Sequence, residues 1–426
     1  MTNQVKLYFG GEQTRVPQGW TWVAAPFQPS PQPGRGRRVV HSYRHFRGSI
    51  VDTPAPEIED LYTIISSVYL SDMWITRKRN APDGWTRSLS LNIPVLRPDT
   101  WNDPEVMSTL VRLLGFVSSD RWELRFRQTT RTVWEPNLLG EPVERVALYS
   151  GGLDSVSFAM EALNTTASPT VVVSHSNPPG LNGLHKRLRP LLAEHVRPAS
   201  FLVQVHRFDK KYPNESTQRT RALLFMAAGL LVCSGNGVSR LSVPENGFLA
   251  INPPLTASRP GACMTKSVHP TTLHLINTLL TAVGSPHHVH NPYALMTKGE
   301  VCRAALEQGA ATLEQLAETV TCSRPQSYRK EPFANCGYCY ACLVRHASLE
   351  AAGGDSTKYR TVRPADIRSD MANGKSDDVL ALRDWLSRDF TARDLIAAAP
   401  FPPGTDFAAL TAMMTRSRAE MAAVCG

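Results

Sequence analysis

The spacing of apolar residues changes character near residue 143. Before that point, TRSLSLNIPV and RWELRFRQ alternate apolar and polar side chains and read as strands. APEIEDLYTIISSVYLSDMWI and DPEVMSTLVRLLGFVS instead repeat their apolar residues at helical spacing. With a proline-rich opening (APFQPSPQPG) and a mostly polar loop, these runs predict an N-terminal α+β domain over 1–143, leaving through TTRTVWEPNLLGEPVER. From Arg145 onward, strand-like and helical runs take turns: VALYS, a helix to Asn164, TVVVSHS, the basic helix LNGLHKRLRPLLAEHV, FLVQVHRF, the helix TQRTRALLFMAAGLLVCSG, and SRLSVP. That alternation predicts a parallel α/β sheet over 144–320. Ligands on such sheets bind beyond the carboxyl ends of the strands. A cysteine-bearing element over 321–350 follows, then an Ala-rich, helix-prone extension over 351–426 that is expected to pack or dock rather than catalyse.

Composition adds limits rather than an identity. The 426 residues suffice for two or three domains with their own cores, and 42% hydrophobic with 19% charged residues is ordinary for a globular chain. The formal charge of +9 suits an acidic ligand, a nucleotide or a nucleic acid without choosing among them. The densest basic run, GRGRRVVHSYRHFRG at 34–48, reads as a solvated face or as a phosphate-binding arm. The opening MTNQVKLYFGGEQTRV lacks the apolar core of a secretory signal, and ALLFMAAGLLVC is too short to span a bilayer. The expectation is a soluble, cytoplasmic protein with no membrane partner. Its eight cysteines are then reduced, and disulfides do not explain their clustering.

The first chemical signal is the break in VALYSGGLDSVSFAM, where an apolar strand gives way to Ser150, Gly151, Gly152, Leu153, Asp154 and Ser155 before helical spacing resumes. Paired glycines at a strand-to-helix junction let the backbone turn tightly and bring N–H groups close to a guest. The helix start favours an anion, most often phosphate. A tight turn with neighbouring serines, and Asp154 as a helix cap, are the plain alternatives. No lysine follows the glycines, so this is not the Lys-Ser/Thr nucleotide loop. SGGLDS resembles the PP-loop of the ATP pyrophosphatases, built on an adenine-nucleotide α-hydrolase fold. The resemblance implies that loop N–H groups and both hydroxyls hold the pyrophosphate of ATP, and that Asp154 helps to place Mg²⁺. Ser174 to Asn177, ending the second strand of the alternation, lie where that fold receives adenine and ribose, or form a polar loop.

The second signal is TCSRPQSYRKEPFANCGYCYACLVRHAS, in which Cys336, Cys339 and Cys342 follow Cys322. Four thiolates in a reducing compartment make a closed tetrahedral Zn²⁺ site. An iron–sulfur cluster competes, although Leu343, Val344 and Arg345 stand where a ferredoxin run expects a further cysteine and proline. Together, CGYCYACLVR, NPYALMTKGEVCRAA with Lys298, and Arg221 with Phe225 in TQRTRALLFMAAGLL resemble the 7-cyano-7-deazaguanine synthases (QueC). Ala222 departs from the asparagine expected there. The resemblance covers about residues 145–350; the substrate strand VPENGFLAINPP and the long flanking segments depart from it. The added segments are similar to those of QueC-like proteins of bacterial anti-phage operons, notably of the Qat systems.

The resemblance implies an AMP-forming C–N ligase that adenylates the carboxylate of a 7-deazaguanine and yields an amide or nitrile. Ammonia, or a protein partner from the defence operon, would be the amine. Lys298 and Arg221 would then stabilise developing phosphate charge. Glu245 and Asn246 would read the base edge, or simply form a turn in P-E-N-G. Two other classes stay open. One is a PP-loop enzyme that modifies tRNA, with Cys233 or Cys263 as a thiolating residue. The other is a non-catalytic scaffold binding ATP and zinc.

Overall fold

The strand pattern of the first part of the chain builds a sheet, but not an independent one. A computed structural model describes residues 4–10, 15–24, 37–42, 48–130, 140–164, 168–176, 180–207, 213–217, 219–256, 266–323, 334–368 and 375–425. Asn177, Cys263, most of the expected linker and much of the basic run at 34–48 lie outside these residues. Strands β1 (Val5–Gly10), β2 (Thr21–Ala24), β4 (Ser88–Val95) and β5 (Arg121–Gln128) form one sheet in the order β2-β1-β4-β5. Every pairing in it is parallel. The α+β expectation for this part is therefore corrected: β4 reaches β5 through the helices Pro98–Asn102 and Pro104–Ser118, and so long a crossover returns the chain parallel.

The second sheet takes the order β10-β9-β6-β7-β8-β3. Its members are β3 (Arg37–Ser42), β6 (Arg145–Leu148), β7 (Thr170–His175), β8 (Val196–Arg207), β9 (Arg240–Ser242) and β10 (His288–His290). The strands from β6 onward pair in parallel, as the alternation predicts, while β3 joins β8 antiparallel. The edge strand of the second sheet thus comes from the N-terminal 143 residues. The basic helix predicted after β7 is short, Gly180–Leu188, because Pro190 opens a 3₁₀ turn at Arg189–Leu191.

The helix Pro56–Trp74 joins the two sheets. All of its residues from Glu57 to Met73 are buried, and it packs against β4, β8 and the helix Arg221–Ser234. Two of its three serines bond back along the helix, Ser67 to the Thr63 carbonyl at 2.8 Å and Ser71 to that of Ser67 at 2.7 Å, while the buried Ser66 hydroxyl has no hydrogen-bond partner among the described residues. At its end, Asp72 enters a buried ion network: Arg87 lies 2.6 Å from Asp72 and 2.5 Å from Asp120, and Arg77 lies 2.7 Å from Asp120. Asp72 also accepts from the Thr220 N–H and hydroxyl, each at 3.0 Å, which ties the start of helix Arg221–Ser234 to the N-terminal layer. One apolar core consequently runs from Phe9 and Leu91 to Val171 and Phe201.

A separate cluster joins Leu153, Val156, Val301 and Cys302 on the side that carries the glycine loop. The C-terminal helices form a third around Met413, Met414 and Trp385, packed on Phe248 and Val344.

Candidate functional site

Tyr149 extends the β6 pairing by donating to the Val173 carbonyl at 2.8 Å, and the chain then turns sharply. Gly151 adopts φ +77°, which a side chain at this position would resist, and its Cβ would stand 3.0 Å from Leu184. The two serines close on each other across the turn: their Oγ atoms are 3.2 Å apart, Gly152 N–H donates to Ser150 Oγ at 3.2 Å, and Ser155 Oγ donates to the Gly152 carbonyl at 3.1 Å. Leu153 is fully buried and anchors the helix Leu153–Phe158. Ser174 is buried near the carboxyl end of the adjacent β7. His185 Nε2 sits 3.3 Å from the Ser150 carbonyl.

Four residues distant in sequence meet directly behind this loop. Lys298 Nζ lies 2.6 Å from Asp154 Oδ1, with both side chains buried. Asn246 Nδ2 donates to Asp154 Oδ2 at 2.8 Å, and its backbone N–H to the same oxygen at 3.3 Å. Asn246 also caps the helix Gly247–Ile251 by accepting from Leu249 N–H, so the N-G signal marks a helix start rather than a bare turn. Glu245 lies alongside, 3.3 Å from Asn246 Nδ2.

The carboxyl groups of this cluster divide. Burial alone would raise the Asp154 pKa, but Lys298 and hydrogen bonds from Glu245, Lys298 and Asn246 outweigh it and hold the group below its usual range. Glu245 goes the other way: burial, then the Asp154 charge, raises it well above its ordinary value. The contact between the two carboxyl groups favours the proton on Glu245 and the charge on Asp154. An acid with a raised folded-state pKa lowers stability as pH climbs above its unfolded value, because only the unfolded chain releases the proton readily. Glu245→Gln keeps a hydrogen-bonding amide without the proton. Its thermal stability should therefore match wild type near pH 4 and decline less from about pH 5 upward. Unfolding curves across that range measure the difference, and parallel pH profiles would show that Glu245 is already ionised.

Arg221 belongs to a second group. Its guanidinium lies over Phe225, 5.3 Å from the ring centre, and its field depresses the pKa of both His175 and His185 after burial has done so. His175, at the end of β7, is neutral, with a pKa brought down to about 3. It packs among Tyr69, Phe201 and Phe225. His175 falls within the Ser174–Asn177 stretch expected beside the nucleoside, whereas no spaced motif marks His185.

Cys322, Cys336, Cys339 and Cys342 are buried, and their sulfurs all lie within 4.8 Å of one another. The Cys322–Cys339 and Cys336–Cys342 sulfur separations are both 3.9 Å. A tetrahedron with metal–sulfur bonds of about 2.3 Å has edges of about 3.8 Å, so the quartet could hold a metal ion such as zinc. Its span leaves room for one ion, not for a polynuclear cluster. Asn335 ties the quartet to the loop: it accepts from Thr321 N–H at 3.1 Å and donates to the Thr319 carbonyl at 3.0 Å, while Val320 N–H donates to the Gly151 carbonyl at 3.2 Å. Buried Arg345 donates to Thr319 Oγ1 at 2.6 Å and to the Leu316 carbonyl at 2.9 Å. The C-terminal helix Phe407–Cys425 supports the start of the Lys298 helix, where Gly299 N–H donates to Glu420 at 3.3 Å and Arg416 meets Glu300 at 2.6 Å.

The model of a family described as queuosine biosynthesis protein QueC matches residues 268–353, which hold Lys298 and all four clustered cysteines. A 7-cyano-7-deazaguanine synthase from Cupriavidus pinatubonensis is 34% identical over 90 residues, 21% of this chain and 36% of the relative. Its counterpart from Cupriavidus metallidurans is 34% identical over 91 residues, 21% of this chain and 37% of the relative. The chain thus spans little more than a third of the length of these relatives. No solved structure matches. No described helix is long and apolar enough to cross a membrane.

Proposed function

We propose that the chain is a QueC-like, AMP-forming C–N ligase acting on a 7-deazaguanine carboxylate. The observation that carries this reading is the meeting of Lys298, from the stretch similar to the synthases, with Asp154 of SGGLDS at 2.6 Å. In it, Ser150, Gly151, Gly152 and Ser155 hold the phosphates of ATP, Ser174 lies beside the nucleoside, and Lys298 shifts from Asp154 toward phosphate as negative charge develops. Asp154, with Glu245 adjacent, would hold Mg²⁺, which when bound neutralises phosphate charge. Arg221 supplies a second positive field, and Glu245 and Asn246 border the substrate. The carboxylate oxygen attacks the α-phosphorus and pyrophosphate leaves. An amine then displaces AMP and loses a proton to form an amide; where that amine is ammonia, adenylation of the amide oxygen, which leaves with AMP as a second proton is lost, would give the nitrile.

Thiolation of tRNA is less well supported. Such a reaction needs a reactive thiol; of the two candidates, Cys233 is buried and burial raises its pKa, while Cys263 lies outside the described residues. The flanking segments and their likeness to anti-phage QueC-like proteins support a defence setting, with a partner protein as the amine. Incubation with Mg-ATP, 7-carboxy-7-deazaguanine and ammonium should yield AMP and pyrophosphate dependent on the acid, and mass spectrometry identifies the amide or nitrile. A purified operon partner in place of ammonium should gain the mass of the base. ADP in place of AMP, or AMP formation indifferent to the acid, would sink the reading.

A further inference from the structure

A cavity of about 540 Å³ opens where the segment Thr76–Trp85 meets residues 213–217 and Arg219, just before the helix Arg221–Ser234. Arg77, Lys78, Arg79 and Arg219 line it, with Trp85 as an aromatic wall and Glu215 as its carboxylate. That carboxylate is directed elsewhere: it accepts from the N–H groups of Arg77 at 2.7 Å, Ser216 at 3.0 Å and Thr217 at 3.2 Å, and from the Thr217 hydroxyl at 3.1 Å. Arg77 is bound to Asp120, Asp72 and Thr217.

Arg219 is balanced only at a distance, by Asp120 and Asp72, whose charges offset part of the effect of burial and of Arg77. Its guanidinium lies 3.8 Å from the centre of the Trp85 ring, and Nη1 donates to the Ser118 carbonyl at 2.8 Å. Nη2 is shielded from solvent and has no hydrogen-bond partner among the described residues, and the same holds for Arg77 Nε. Burial, then the charge of Arg77, brings the Arg219 pKa down to about 10. Arg219 in turn lowers the pKa of Lys266, after burial. A buried donor without an acceptor is rare in folded proteins, and here it stands in a field of excess positive charge.

We propose that this cavity is an anion site, distinct from the glycine loop, that takes a small dianion of the phosphate-monoester class. Guanidinium and ammonium groups bind phosphate oxygens through charged hydrogen bonds; Nη2 of Arg219, shielded from water as it stands, becomes a donor to such an oxygen once the guanidinium shifts on Trp85. Lys78 and Arg79 supply charge at the rim, where both are exposed. Trp85 backs the guanidinium and sets its plane. The site does not rest on the ATP chemistry proposed above. It adjoins Thr220 and Arg221, so an occupant would stand next to the helix that carries Arg221.

Calorimetric titration of the full chain with inorganic phosphate, at low salt, tests the assignment, with tryptophan fluorescence followed in parallel. Saturable binding with a change in emission is expected, and Trp85→Phe should abolish the emission change. Arg219→Gln should weaken binding at least tenfold. Because Arg219 also contacts Ser118, Lys78→Glu serves as the second variant: it alters an exposed side chain and should weaken binding severalfold. Binding that survives both charge variants unchanged belongs to another site, such as the glycine loop, and overturns the proposal. So does the absence of saturable binding to wild type.

Discussion

Lys298→Met is expected to lose about a hundred- to a thousandfold in acid-dependent AMP formation, the scale of removing one preorganised charge stabiliser. It should also lower folding stability by about 3–5 kcal/mol, because it leaves a buried carboxylate without its cation. Lys298 and Asp154 are both buried and lie 2.6 Å apart. The remaining hydrogen bonds, from Asn246 and Glu245, do not replace a full charge. The destabilisation carries its own pH signature. With Lys298 present, Asp154 is held ionised below its usual range, so its contribution is present at neutral pH and lost only as pH falls through that depressed value. Without Lys298, protonation of Asp154 relieves the burden, so the gap from wild type should be widest near neutrality and shrink in acid. The double variant Asp154→Asn/Lys298→Met separates stability from chemistry. Removing both charges should restore much of the stability, since a buried pair is often no better than a neutral substitute, yet turnover should remain lost. Denaturant unfolding of wild type, both single variants and the double variant gives the coupling. Single-variant effects that simply add would mean that the pair does not act as described.

What the sequence reveals of this site follows from how local each signal is. The glycine loop is legible because strand, turn and helix are contiguous, and the cysteine quartet because three of its members fall within one short turn. The β5 alternation is legible because that strand ends its sheet and keeps an exposed face. Its neighbour β4 also alternates in sequence, yet Ser90 is as buried as Leu91, since the strand lies inside the sheet under the helix Pro56–Trp74. The spacing of that helix is legible, but its burial on every side is not, for a related reason. Ser67, Ser71 and Asp72 are buried while bonded to their own backbone or to an arginine elsewhere, which period alone cannot show. The meeting of Asp154 with Lys298, 144 residues away, depends on which strands become neighbours. So does the crossing of β3 into the second sheet, which no local pattern near residue 40 announces.

Depriving the cysteine quartet of a metal should disable the glycine loop as well as the cysteine element. The free energy of binding a structural zinc, about 10–16 kcal/mol at neutral pH in small zinc modules, is also folding free energy for the segment that supplies the ligands. Here that segment does not end at the cysteines: Asn335, beside Cys336, brackets Thr319 and Thr321, and Val320 between them donates to the Gly151 carbonyl. Cys336→Ser should accordingly reduce metal content, lower the unfolding temperature by many degrees, and weaken ATP binding although every residue of SGGLDS is intact. Gly337→Ala makes the same point without touching a ligand. Gly337 has φ +93°, and a Cβ there would fall 1.6 Å from the Val362 carbonyl oxygen. That carbonyl belongs to the strip that includes Arg360 and Thr361, whose N–H groups donate to Asn335 and Cys336. The methyl group cannot be accommodated unless the knuckle or this strip moves, so Gly337→Ala should lose metal with all four thiols present. Metal analysis, thermal unfolding and ATP titration on both variants decide the matter. Metal loss with ATP affinity unchanged would show that the loop stands without the knuckle, and that the Val320–Gly151 bond carries no weight between them.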